Sequence, residues 1–169
     1  MNAKVHELLN QQINKEFYSA YLYLDFSNYF EDAGLDGFAN WYKIQAQEER
    51  DHAMLFYQYL QNENQKVTLE AIAKPDKDFT CHLDVLKAGL EHEEYVTSLI
   101  NDIYAAAYDV KDFRTMQFLD WFVKEQSEEE NNFRNLLQKI QLFTSDNKGL
   151  YLFDNELAAR NYAVPTLIL

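Results

Sequence analysis

Trp41-Tyr42-Lys43-Ile44-Gln45-Ala46-Gln47-Glu48-Glu49-Arg50-Asp51-His52-Ala53-Met54-Leu55-Phe56 is a helical stretch whose apolar stripe is broken by charge. On an α-helix, residues three and four apart share a face, so Glu49 and His52 project side by side in line with Tyr42, Gln45, Phe56 and Tyr59. Arg50 and Asp51 fall on the polar flank. An ionised carboxylate within an aromatic stripe costs several kcal/mol unless something cationic compensates it.

The same intrusion recurs on three further stripes. Glu16 stands between Ile13 and Ala20, with Tyr23 two turns along the same line; Glu93 stands between Gly89 and Val96; Gln126 and Glu129 stand between Phe122 and Phe133. Singly, each has a bland reading. A lone Glu-x-x-His is common by chance on surface helices, the run Glu128-Glu129-Glu130 alone reads as a solvated face, and Tyr23 and Trp121 alone read as core aromatics. Four stripes interrupted together are not what independent accidents produce. His6, His82 and His92 lie on no carboxylate-bearing stripe and read as exposed or capping residues.

Apolar periodicity outward from this stretch predicts an all-α chain. A first helix spans about 3–31 and stops at Asp32-Ala33-Gly34-Leu35-Asp36-Gly37, which is turn chemistry. The second spans about 36–61. Residues 62–80 keep no helical period and contain Pro75, which makes a connection of roughly twenty residues, long for a compact domain. Such a crossover runs the height of a bundle and lets the next helix point the same way as the last. The third helix spans about 82–108, the link Asp109-Val110-Lys111-Asp112 follows, and the fourth spans about 113–143. Ser145-Asp146-Asn147-Lys148-Gly149 breaks the pattern before a short fifth helix at about 150–160. The fold expected is a four-helix bundle with a long crossover between its second and third helices and a short C-terminal fifth, in one domain over 1–169.

Composition supports this reading. The 169 residues include only four Gly and two Pro, too few for the many turns of an all-β fold, while aromatics make up 15% and promise a core rich in Tyr and Phe. A net charge of −13 argues against nucleic acid and anionic membranes as partners, since phosphate binding needs clustered Lys and Arg. An acidic shell concentrates cations. Cys81 is the single cysteine, which suits a reducing compartment. The N-terminus opens directly into an amphipathic segment, and no stretch is long and apolar enough to span a bilayer, so a cytoplasmic location is expected.

Four helices that present carboxylates near their midpoints place them where packed neighbours meet. Oxygen ligands with one imidazole suit iron, and also zinc or manganese. Di-iron carboxylate bundles use one Glu from each of two helices and a Glu-x-x-His from each of the other two. This chain supplies Glu16, Glu93 and Glu49-x-x-His52, but its second motif reads Glu129-Glu130-Asn131-Asn132. The missing histidine leaves one metal position with a poorer ligand set, which suits transient occupancy.

The chain resembles a bacterial non-haem ferritin over nearly its whole length. The most specific pieces are Asn14-Lys15-Glu16-Phe17-Tyr18-Ser19, Ala46-Gln47-Glu48-Glu49-Arg50-Asp51-His52, the run from Phe118-Leu119-Asp120-Trp121 to Glu128-Glu129-Glu130, and Gly149-Leu150-Tyr151. The resemblance implies a 24-subunit hollow cage that oxidises iron(II) with dioxygen or hydrogen peroxide and stores a ferric mineral. It implies a first iron site at Glu16, Glu49 and His52, and a second at Glu49, Glu93 and Glu129, with Glu49 bridging and Gln126 nearby. A third site, Glu48, Glu125, Glu128 and Glu129, is also implied, and helical spacing independently puts 125, 128 and 129 on one face. Tyr23 and Trp121 match aromatics beside the centre that supply electrons to bound oxygen.

Three departures qualify the resemblance. Haem-bearing relatives carry a methionine directly after the glutamate of the second-helix motif; Arg50 stands there, and Met54 is on another face, so no haem is expected. Positions that line an acidic pore in animal ferritins are Met116 and Leu119 here. The apolar tail from Ala163 to Leu169 has no counterpart, and suits a subunit junction. Two other readings compete: a rubrerythrin-like peroxidase, weakened by the missing histidine and the absence of a Cys-x-x-Cys module, and a non-catalytic cage subunit, weakened because every ligand is present. The fifth helix argues against a mini-ferritin.

Overall fold

The computed structural model describes residues Met1–Leu169. Five helices follow in order: α1 (Ala3–Asp32), α2 (Asp36–Asn62), α3 (His82–Asp109), α4 (Phe113–Phe143) and α5 (Asn147–Ala158). This is the all-α bundle expected, with no strand.

Local chemistry sets the helix ends. Asn2 caps α1 by accepting from the Lys4 amide at 2.8 Å, and Asp112 caps α4 by accepting from Thr115 at 3.2 Å. Gly34, at φ 71°, makes the α1–α2 turn; Lys111 takes the left-handed conformation at φ 57° in the α3–α4 turn. The expectation for α5 needs correction, because it starts at Asn147 and ends at Ala158 rather than spanning 150–160. Gly149 is no breaker. Its amide donates to Asp146 Oδ1 at 2.7 Å, so Asp146 is the N-cap and the glycine lies in the first turn.

Contacts between helices fix their directions. Tyr29 meets His82 and Ser19 meets His92, so α3 runs antiparallel to α1. Tyr59 stacks on Phe118 at one end while Gln45 reaches Glu129 further along, so α4 runs antiparallel to α2. The short α1–α2 turn makes those two antiparallel, and α2 and α3 therefore point the same way. The crossover permits this. It climbs α1 on a polar stripe at four-residue spacing: His6 bonds the Lys66 carbonyl at 2.8 Å, Asn10 both donates to and accepts from Thr68, and Asn14 donates to the Ala71 carbonyl at 3.1 Å.

The core falls into two apolar regions. One holds Tyr23, Phe26, Phe30, Tyr42 and Phe133 near the α1–α2 turn; the other holds Leu9, Phe56, Ile100, Phe118 and Phe122 towards the opposite end. Between them lies the buried polar layer. α5 covers the first region with Phe153 and Leu157, and Asp154 accepts from the Phe38 amide at 3.0 Å at the start of α2.

Candidate metal centre

Glu16, Glu49, His52, Glu93, Gln126 and Glu129 all reach the layer between the two apolar regions, and none is more than 4% exposed. Each is carried to this depth by the stripe that otherwise supplies Phe, Ile and Val. Glu16, Glu49 and His52 bring ligand atoms within 4.8 Å of one another, with His52 Nδ1 3.6 Å from Glu49 Oε2. The imidazole is wedged edge-on against Trp121 and Phe122, at 5.6 and 5.8 Å between ring centres.

Glu93 and Glu129 stand in the same layer, each tied to uncharged donors. Tyr23 donates its hydroxyl proton to Glu93 Oε1, and Gln126 Nε2 donates to Glu93 Oε2 at 3.0 Å. Glu129 Oε2 accepts from Gln45 Nε2 at 2.8 Å, and Glu16 Oε1 accepts from Gln12 Nε2 at 2.8 Å. Gln12 is a residue that the sequence reading passed over, and Gln45 was read there only as a marker of the helix face. The signal for Gln12 is its place four residues before Glu16 on a buried stripe.

Electrostatics describe a site short of positive charge. No Lys or Arg is among the buried residues. Burial, and then the neighbouring Glu49 charge, push Glu16 well above the carboxylate range; burial, then Glu93 and Glu129, do the same to Glu49. Burial raises Glu93 as well, opposed by the bonds from Tyr23 and Gln126. Glu129 is pushed up to about 8, by burial first and then by Glu93. Glu16 Oε2 and Glu49 Oε1 are buried with no hydrogen-bond partner. Orphaned carboxylate oxygens beside an imidazole fit a cation, and four carboxylates, once ionised, balance the charge of two divalent ions.

The third set is dispersed by comparison. Glu48 is bound by Arg160 at 2.6 Å, Glu125 is half-buried, Glu128 is exposed, and only Glu129 belongs to the buried layer. His92, expected to be exposed or capping, instead bonds Ser19 at 2.8 Å and packs edge-on against Tyr23 at 5.8 Å, and burial lowers it to about 4. Within its own chain the tail reaches α4, where Thr166 accepts from Trp121 at 3.0 Å, while Val164 and Ile168 stay exposed.

Antiparallel helix pairs joined by a long crossover, around a buried carboxylate and imidazole layer, define a metal-binding four-helix bundle of the ferritin-like class. Residues 6–143 match the Ferritin-like domain. The chain is 40% identical over 154 residues to the bacterial non-haem ferritin of Campylobacter jejuni, covering 91% of this chain and 92% of that one. It is 36% identical over 156 residues to the bacterial non-haem ferritin of Staphylococcus haemolyticus, covering 92% and 94%. Among solved structures it superposes on an open-pore ferritin from the archaeon Archaeoglobus fulgidus with a TM-score of 0.93 at 39% identity, over 95% of this chain and 98% of that one. The chain belongs to the ferritin-like family, among the bacterial non-haem ferritins.

Proposed function

We propose that this chain is the subunit of an iron-storing ferroxidase, which oxidises iron(II) at an intrasubunit di-iron site and stores the product as a ferric mineral inside a 24-subunit cage in the cytoplasm. The observation that carries this reading is the pair of orphaned oxygens, Glu16 Oε2 and Glu49 Oε1, buried beside His52 in a layer with no basic residue. No helix is long and apolar enough to cross a membrane.

Iron(II) is here the substrate. Glu16 and His52 hold one ion, Glu93 and Glu129 the other, and Glu49 lies between them. Each ion gives one electron, and the two electrons with two protons reduce dioxygen to hydrogen peroxide or hydrogen peroxide to two waters. The carboxylates favour the product because their negative charge stabilises iron(III) over iron(II), and in a dry layer that preference is stronger than in water. Tyr23 holds Glu93 through its hydroxyl and stands close enough to serve as an electron source, with Trp121 beside His52 in the same capacity. Gln126 and Gln45 orient Glu93 and Glu129 without adding charge. Glu48, Glu125, Glu128 and Glu129 form the onward path to an acidic interior surface that includes Asp51 and Glu130.

Replacing Glu49 and His52 together by Ala should abolish rapid iron(II) oxidation, followed by absorbance of the ferric product; wild-type rates in that variant would sink the assignment. Size-exclusion chromatography should give a particle of several hundred kilodaltons, as 24 chains of 20.0 kDa require.

A further inference from the structure

After α5 the chain does not leave the bundle. Residues 160–169 run without regular structure along the groove between α2 and α4, and their contacts advance down α2 in order. Arg160 Nη1 donates to the Trp41 carbonyl at 3.1 Å, its Nη2 binds Glu48 Oε2 at 2.6 Å, and its guanidinium lies 4.5 Å over the Trp41 ring. Tyr162 donates its hydroxyl to Asp51. Thr166 Oγ1 accepts a hydrogen bond from the Trp121 indole N–H, and Leu167 packs on the lower core beside Tyr59 and Phe118.

Arg160 itself is tied to its surroundings through its backbone, its amide donating to the Leu157 carbonyl at 3.1 Å and its carbonyl accepting from Asn40 Nδ2 at 3.2 Å, but beyond it the segment is held by side chains alone. No backbone hydrogen bond involves any residue beyond Arg160, while Val164 is 71% and Ile168 93% exposed. A strap pinned at a few points lifts without unfolding what lies beneath it. Its strongest pin is an ion pair whose side chains are only 21% and 17% exposed. That pair engages the carboxylate next in sequence to Glu49, which like Asp51 and Glu125 is half-buried at the edge of the buried layer.

We propose that Arg160 is an internal stand-in for a cation at Glu48, standing at the root of a strap that lifts, so that Glu48 accepts a divalent cation only when the Arg160 guanidinium swings off Trp41. The strap thereby gates passage of cations between the buried centre and the acidic surface. This rests on reading the buried layer as an iron site. Arg160 acts on the cation through Glu48 and is a positioning residue.

Zn2+, which has no redox chemistry, is the probe. It is titrated calorimetrically into the full-length assembled protein. Arg160→Gln should bind Zn2+ at a Glu48-dependent position about tenfold more tightly than wild type, Arg160→Lys should restore most of the wild-type weakness, and Glu48→Gln with Arg160→Gln should lose the gain. The earlier binding phase, removed by Glu49→Ala with His52→Ala, should not change. Unaltered Glu48-dependent affinity in Arg160→Gln overturns the strap and leaves the iron site standing; Zn2+ binding indifferent to Glu49 and His52 overturns the iron site, and the strap is then judged on the Glu48-dependent gain alone. Intrinsic fluorescence gives a readout that needs no Arg160 variant, because the strap rests on both tryptophans of the chain. In wild type, Zn2+ added after the first phase saturates should shift Trp41 emission, and Glu48→Gln should abolish that second shift; its absence in wild type overturns the proposal. Tyr162→Phe with Thr166→Val, which loosens the strap and leaves Arg160 in place, should tighten Zn2+ in the same Glu48-dependent way.

Discussion

At Gln45 a neutral amide does what a lysine would do elsewhere, but without occupying the site with charge. Its Nε2 is the donor that the structure gives Glu129, and both groups are buried. Gln45→Leu keeps the volume and removes the donor, so the metal-free protein should lose about 1–3 kcal/mol in urea unfolding, the usual cost of stranding a buried polar group. With excess Zn2+ the difference should shrink, because the cation takes the place of the amide; an equal loss in both states would show that Gln45 serves packing only. The two amides differ in how far the sequence discloses them. Gln12 stands one helical turn before Glu16, so their bond is a local consequence of spacing. Gln45 meets a carboxylate 84 residues away, and Arg160 meets Glu48 across 112, so neither contact exists until helix pairing and the course of the tail are known.

Elements were legible where a stripe persisted for several turns. α1 to α4 carry such stripes, and the length of the crossover was enough to orient α3 parallel to α2. α5 was misplaced by three residues at its start because Gly149 reads as a breaker; the Asp146 carboxylate bonds its amide and makes the first turn there. The docking of α5 depends on a different glycine. A Cβ at Gly37 would lie 1.7 Å from the Asp154 carbonyl oxygen, a backbone atom that no rotamer change can move. Gly37→Ala should therefore push α5 off the end of α2, release the bond from Phe38 to Asp154, and cost about 1–3 kcal/mol. Limited proteolysis should cut faster within 144–169 while α1 to α4 stay resistant. Uniform sensitivity along the chain, or none, would mean that α5 adapts without undocking.

For the whole molecule, the buried layer makes stability depend on pH in a direction that metal reverses. Glu129 titrates near 8 in the folded chain against an ordinary value of 4.5, so between those limits the folded chain keeps a proton that the unfolded chain has released. Its contribution is fully present at the acid end and is lost as pH rises through about 8. Glu16, Glu49 and Glu93 are raised too and act in the same sense. His92 opposes them at the acid end: lowered to about 4 by burial, and secondarily by Lys77 and Lys15, it stays neutral where the unfolded imidazole is charged, and its contribution is lost as pH falls from about 6.5 to 4. Chelator-treated protein should accordingly melt at progressively lower temperature from pH 6.5 to 8. A divalent cation binds the ionised carboxylates, so its affinity rises with pH over that range, and saturating Zn2+ at about 100 times its Kd adds about 2.7 kcal/mol per site. Melting temperature in excess Zn2+ should then rise or hold level across the window in which the metal-free protein declines, and the two curves should diverge most at pH 8. Parallel curves would mean that Zn2+ binds surface acids and leaves the central layer protonated, and Glu49→Ala with His52→Ala, by closing the gap between the curves, would place the effect at the centre.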